Sequence, residues 1–334
     1  MTTEAKPSDA SSVTGLGLGF ASSKILLTAL ELGLFTLLAR GPRTRQQLCT
    51  ELGLQGRGST EFLTALVAMG LLERDGEQYL DSGTAARLLV RGPGYAGGFL
   101  EGANAVLYPA WGGLSDALRT GMPQNSGDFE QMLTDPGRQR MYLAMMDALS
   151  GPLAPDLAAA LDWRTHSVVT DVGGARGNMV SLLLREHGHL SGVVFDRPQN
   201  AGACAEHSAS LGVGERVTFT GGDFFTDELP ATDVMIIGHV LADFAPAERE
   251  LLVHKAFRAV RPGGALLVYD PMPDPDSPDL DAAVAGMHLV VMSPGGGGYP
   301  PADCAQWMRD AGFASVSVRG LGLGNTLAIG TKSR

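Results

Sequence analysis

The run Val168-Val169-Thr170-Asp171-Val172-Gly173-Gly174-Ala175-Arg176-Gly177 constrains this chain more than any other stretch. A β-branched apolar segment carries an acid near its end and passes at once into a glycine-rich turn. Met179, Val180, Leu182, Leu183 and Leu184 then recur with helical spacing. A second β-rich run, Gly192-Val193-Val194-Phe195, ends in Asp196. The pattern predicts strand, turn, helix and strand. In such a unit glycines let the backbone approach a nucleoside-bearing ligand, and the acid closing the second strand can meet two ribose hydroxyls.

The turn discriminates among such ligands. A pyrophosphate-binding turn reads G-x-G-x-x-G and faces the phosphates with a helix N-terminus. The spacing Gly173-x-Ala175-x-Gly177 departs from it and fits the shorter G-x-G-x-G turn used for S-adenosylmethionine, with alanine in the middle. Asp171 points the same way, because a carboxylate repels a pyrophosphate but suits an ammonium and a sulfonium. Alone, such a turn is equally an ordinary loop. Residues 216–225 strengthen the case, as a strand running into Gly222-Asp223-Phe224-Phe225. A carboxylate can accept from an adenine amine, and an aromatic ring can cover a purine. Singly, Asp223 reads as a solvated turn acid and Phe224 as core. Three acids at the ends of successive strands argue together for one binding edge.

Alternation continues to the C-terminus. Residues 233–237 read as a strand and 247–260 as a helix broken by Pro262-Gly263-Gly264. Residues 265–269 form the next strand, and a helix near 301–311 precedes strands at 314–318 and 326–329. This implies an α/β fold with a mostly parallel sheet covered on both faces. The last two strands leave no room for a crossover helix and should pair antiparallel.

With 334 residues the chain is long enough for two domains. Its net charge of −11 argues against nucleic-acid or anionic-membrane partners. Cys49, Cys204 and Cys304 are far apart, which fits a cytoplasmic protein with no structural metal. Residues 1–12 read as a disordered tail. The apolar stretch 25–39 is interrupted by Glu31 and reads as a buried helix rather than a membrane span.

Residues 13–155 read as a mainly helical domain and 156–334 as the ligand-binding one. Helices from Arg45 and from Ser59, then a hairpin around Asp75-Gly76, make a winged-helix pattern. The Ser59–Met69 helix carries Glu61 and no lysine or arginine, so it suits phosphate contact poorly. A helix with Tyr108, Trp111 and Leu114 follows, then one rich in methionine (Met141, Met145, Met146). Methionine faces are usually core.

Asp-Val-Gly-Gly-x-x-Gly, Phe-Asp-x-Pro, Gly-Asp-Phe-Phe and Arg-Pro-Gly-Gly-Ala-Leu-Leu-Val-Tyr-Asp resemble the class I S-adenosylmethionine-dependent methyltransferases. More narrowly, they resemble bacterial relatives of the caffeate- and acetylserotonin-type O-methyltransferases, from about Leu18 to the C-terminus. The resemblance implies a Rossmann-like seven-stranded domain preceded by a winged-helix domain that builds a homodimer. It assigns the cofactor to Asp171, Gly173, Gly177, Asp196, Arg197, Gly222, Asp223 and Phe224, with Met145 against it. Tyr108, Trp111, Met287 and Leu289 would line the pocket of a small-molecule acceptor.

The family's general base is a histidine in Leu-His-Asp-Trp. Here the segment is Leu241-Ala242-Asp243-Phe244, and Ala242 takes no proton. One of the family's flanking acids matches Asp270; Gly298 stands at the other position. His288 is a candidate substitute base, with Asp270 and Asp243 as candidates for positioning or proton transfer. His239 reads as cofactor-adjacent or structural. The expectation is a cytoplasmic, homodimeric methyltransferase acting on a small aromatic or polyketide-like metabolite. A carbon, nitrogen or acidic oxygen acceptor is favoured, since these dispense with a base worth roughly 10²–10⁴-fold. The rival readings are a non-methylating enzyme, such as a cyclase, that keeps the cofactor, and a DNA-binding regulator.

Overall fold

A computed structural model describes residues 9–92, 95–124 and 133–334. The chain divides into two compact units, Met1–Ala105 and Val106–Arg334.

In the first unit, the core gathers Leu30, Leu34, Phe35, Leu48, Leu63, Leu66 and Tyr79. Strands β1 (Arg43–Thr44), β2 (Leu72–Asp75) and β3 (Gln78–Asp81) form a small antiparallel sheet in the order β1-β3-β2. Together with helices Arg45–Glu51 and Ser59–Ala68, this gives the winged-helix arrangement. The Arg45–Glu51 helix opens on a reciprocal cap, Thr44 to the Gln47 backbone and Gln47 back to Thr44. Of the expected tail, residues 1–8 lie outside the described residues, and the rest is ordered: Asp9 caps a helix over Ala10–Gly17. The apolar stretch 25–39 is two helices, Gly19–Glu31 and Leu34–Leu38, because Gly33 takes φ 72°. The helical run Ala10–Glu31 is long and apolar enough to cross a membrane by length and composition alone. Val13, Leu16, Leu18 and Phe20 on it are exposed.

The second unit is built on a seven-stranded sheet. Its strands are β4 (Val168–Val172), β5 (Ser191–Asp196), β6 (Val217–Gly221), β7 (Thr232–Gly238), β8 (Val260–Asp270), β9 (Ser315–Gly322) and β10 (Asn325–Thr331). The order is β6-β5-β4-β7-β8-β10-β9. β4 to β8 pair in parallel, while β10 runs antiparallel to both β8 and β9, as the short connection required. One core lies around Met235, Ile237 and Trp307, another around Leu183, Val194 and Ile236. The strand order reverses between β4 and β7, and a crevice for ligand opens beyond the carboxyl ends of strands at such a point.

Two boundaries differ from the sequence reading. Pro262-Gly263-Gly264 lies inside β8, as a register shift against β7, and the preceding helix ends at Ala259. The division between units falls after Ala105 rather than after residue 155. Helices Tyr108–Trp111 and Leu114–Thr120 bury Ala110 and Ala117 against Val291 of the helix Leu280–Met292, so they belong to the second unit. Helical periodicity gives the apolar face but not the neighbour that covers it.

Candidate active site

β4 ends in a turn whose shape depends on two glycines. Gly173 takes φ 73°, and a Cβ there would lie 2.5 Å from Val240. Gly177, also at φ 73°, caps the helix Asn178–Glu186, and a Cβ on it would meet Val194 at 2.8 Å. Gly173 is therefore at the opening of the turn, whereas Gly177 packs helix onto sheet.

Two acids converge on this turn. Asp196 Oδ2 accepts from the Ala175 N–H at 2.7 Å; its Oδ1 accepts from the Arg197 N–H at 2.6 Å and from Asn200 Nδ2 at 2.9 Å. Burial pushes its pKa up against those bonds. Asp171 is 4% exposed, and burial, helped by the charge of Asp196, raises it to about 7. Two buried carboxylates beside an open backbone turn make a site that favours a cation.

The cleft over this turn is lined on one side by Asp171, Gly173 and Asn178 and on the other by the helix Pro136–Ser150. That helix contributes Tyr142, Met146 and Ser150, spaced by four, and Asp147 beside them. Met145, expected here, is not among the lining residues; it sits one position off that face. Two clasps hold the helix down. Arg176 Nε donates to Asp147 at 2.8 Å, and Gln139 Nε2 donates to Asn200 Oδ1 at 3.1 Å. None of Tyr142, Arg176, Asp147 or Gln139 was found from sequence, because each pairing spans many residues. His239 also lines the cleft; Asn325 holds its Nε2 at 2.8 Å, and burial lowers it to about 4, so it is neutral.

Beyond β6, Asp223 accepts from the Phe225 N–H at 2.9 Å and from Arg197 Nη1 at 3.2 Å. Gly222 leaves room for Phe195, which a Cβ would meet at 2.6 Å. Phe224 packs edge-on against Phe225 and Phe244, within an aromatic group on the core.

The second turn, Leu241–Asp243, follows β7. Ala242 is 1% exposed. Arg249 fixes this turn from beneath: its Nε donates to the carbonyls of Leu241 (3.0 Å) and Phe244 (2.7 Å) and its Nη2 to that of Gly297 (2.9 Å). Asp270 is fully buried. Its Oδ2 accepts from Tyr299 Oη at 2.6 Å and from the Ala242 N–H at 3.3 Å, while Oδ1 has no partner. Burial raises it to about 8, so it is a neutral acid at pH 7. Asp243 accepts from Ser293 Oγ at 3.2 Å, and burial raises it to about 6. At Gly298 a Cβ would lie 2.4 Å from Pro273. Pro273 thus stands where an acidic side chain at 298 would have to go.

His288 does not have the geometry of a base. Trp111 Nε1 donates to its Nδ1 at 2.7 Å. An indole nitrogen only donates, so the neutral ring carries its proton on Nε2. Burial lowers the histidine's pKa, which favours that neutral form. Its one free nitrogen is a donor. Leu289 packs on the core cluster that contains Leu241 and Ala242; Tyr108 and Met287 are half-buried. Among the described residues, no group of three or more His, Cys, Asp or Glu side chains is placed to hold a metal.

The chain has clear relatives among known proteins. Residues 111–314 match an O-methyltransferase domain and residues 15–92 an O-methyltransferase dimerisation domain. The chain is 44% identical to the tetracenomycin polyketide synthesis 8-O-methyl transferase TcmO of Streptomyces glaucescens, over 96% of each chain. It is 39% identical to the N,N-dimethyltransferase OxyT of Streptomyces rimosus, over 80% of this chain and 79% of that one. In fold it superposes on human N-acetylserotonin methyltransferase in complex with S-adenosylmethionine, with a TM-score of 0.88 at 23% identity, covering 99% of this chain and 100% of that one. The glycine turn, the paired acids and these matches make the chain a member of the O-methyltransferase family, an enzyme that uses S-adenosylmethionine.

Proposed function

We propose that the enzyme methylates an acidic phenolic or enolic oxygen of an aromatic polyketide-type metabolite, working as a cytoplasmic homodimer. The observation that carries this reading is the alanine at position 242. Ala242 takes no proton, burial pushes Asp270 toward its neutral form, and Asp243, at the end of the turn, is engaged by Ser293 Oγ at 3.2 Å. An acceptor with an ordinary phenol pKa of about 10 would rarely be ionised. An oxygen acidified by conjugation to a carbonyl would arrive as the anion. The relative TcmO, named for polyketide 8-O-methylation, supports that class.

S-adenosylmethionine supplies an electrophilic methyl group on a sulfonium. This chain's residues would do the rest by binding and orientation. Asp196 would hold the ribose, Asp223, Arg197 and Phe224 the adenosine end, and Asp171 the cationic end beside Gly173. In-line transfer between two well-oriented groups takes much of its acceleration from placement alone. An amine acceptor is the second reading, favoured by the likeness to the dimethyltransferase OxyT.

The test is a series of hydroxyanthraquinones and naphthols of graded acidity. The expected product is heavier by one methylene, and kcat/KM should follow each acceptor's own ionised fraction with pH. One profile common to all acceptors would point to a base on the enzyme and defeat the reading. Preference for arylamines over phenols would favour the second.

A further inference from the structure

The Trp111–His288 pair has a consequence for what the acceptor must carry. The two residues are 177 positions apart and meet nitrogen to nitrogen at 2.7 Å, their rings 5.3 Å apart and nearly perpendicular. Trp111 is held in turn by the apolar group of Ala110, Ala117 and Val291. A donor-only indole facing Nδ1 puts the histidine proton on Nε2. Among the described residues that Nε2 has no hydrogen-bond partner, and it is not sealed from solvent.

The helix that bears His288 packs on the turn after β7. Leu289 joins the cluster of Leu241 and Ala242, and Ser293, just beyond the helix, donates to Asp243. Among the described residues, a half-buried N–H without a hydrogen-bond partner therefore lies on the helix that packs on the turn after β7, at the end of the sheet where an open fold of this kind offers its crevice. A polar group kept half-buried in a site without a partner calls for one from the ligand.

We propose that His288 donates a hydrogen bond from Nε2 to an oxygen of the acceptor molecule, that Trp111 is the positioning residue that sets this tautomer, and that the acceptor carries a carbonyl or phenolate oxygen near its methylated position. This rests on the reading of an oxygen-bearing aromatic acceptor. It reverses the role of His288 from proton taker to proton-sharing donor, and no proton changes hands in it.

The experiment uses the full-length enzyme with S-adenosylhomocysteine bound, so that binding is read without turnover. Two probes are titrated: 1-hydroxyanthraquinone, with a carbonyl beside its hydroxyl, and 1-naphthol, which lacks one. His288→Ala should weaken the anthraquinone about 10-fold, in line with one lost hydrogen bond, and leave naphthol nearly unchanged. His288→Gln, which keeps an N–H at the same reach, should restore most of the loss. Nitrogen-15 NMR of the histidines should show His288 protonated almost wholly on Nε2, and Trp111→Phe should let the Nδ1-protonated form appear beside it. A histidine protonated on Nδ1 in the wild type, equal losses for both probes, or no binding of either probe would overturn the proposal. Anthraquinone that binds with the expected His288 dependence but is never methylated would leave this inference standing and remove the assigned acceptor class instead.

Discussion

Two turns face the same end of the sheet, and they are built in opposite ways. The turn after β4 brings acidity and open backbone to the cleft: Asp171 is buried and Asp196 half-buried beside Gly173. The turn after β7 keeps its polar groups inside. Arg249 gives its donors to three carbonyls, Tyr299 and the Ala242 N–H take one oxygen of Asp270, and Ser293 reaches Asp243. The first turn presents acidity at the cleft; the second is braced from beneath by Arg249. On the proposed reading, chemical demand falls on the cofactor side and shape on the acceptor side. That is the division expected when the cofactor brings the reactivity and the acceptor brings its own anion.

The strongest way to break this comparison is to remove the scaffold. Arg249→Ala leaves the carbonyls of Leu241, Phe244 and Gly297 buried without that donor, at about 1 kcal/mol or more each. A loss of about 3 kcal/mol should lower the melting temperature by roughly 6–12 °C in a chain of this size. A melt coincident with wild type would show that the second turn is held by something else. A smaller effect is expected from Asp196→Ala. If Asp196 holds the ribose as proposed, a net loss of one hydrogen bond to its charge, roughly 1.5–3 kcal/mol, should weaken S-adenosylhomocysteine about 10- to 100-fold by calorimetry. Unchanged affinity would detach Asp196 from the ribose and with it the first half of the comparison.

The two turns also differ in how far the sequence reveals them. The cofactor turn is local: Asp171, Gly173 and Asp196 sit in one strand-turn-helix-strand unit, and their spacing is itself the signal. The mostly parallel sheet and the antiparallel closing strands were legible for the same reason, since short connections dictate pairing. The acceptor turn is assembled from distant segments. Ala242 shows in the sequence as a missing histidine, but nothing near it announces Arg249 as the residue beneath the turn, or Tyr299 as the partner of Asp270. His288 was visible as a titratable group on a helix. Its role depends on Trp111, and a ring nitrogen's tautomer is set by the partner across space. The boundary after Ala105 was missed likewise, because amphipathic helices show their apolar face without naming what buries it.

The smallest effect expected sharpens the comparison through pH. Asp270 is raised to about 8 by burial, against about 4 for a free carboxyl. The folded state therefore holds its proton over a range in which the unfolded chain has lost it. Stability from this group is full below about pH 4 and is lost as pH rises through about 8. Asp171, raised to about 7, adds a slope of the same sign. Asn at 270 never ionises, so the melting temperature of Asp270→Asn should gain on wild type as pH rises from about 6 to 9, by a few degrees at roughly 2–4 °C per kcal/mol. Saturating S-adenosylmethionine should then separate the two turns. Its cationic groups favour the ionised form of Asp171 and should flatten that part of the slope, leaving the part owed to Asp270 in place. If cofactor flattened the whole of it, or if the wild-type and Asp270→Asn melts ran parallel without cofactor, the acid beneath the second turn would not be the sealed, neutral group that the scaffold argument requires.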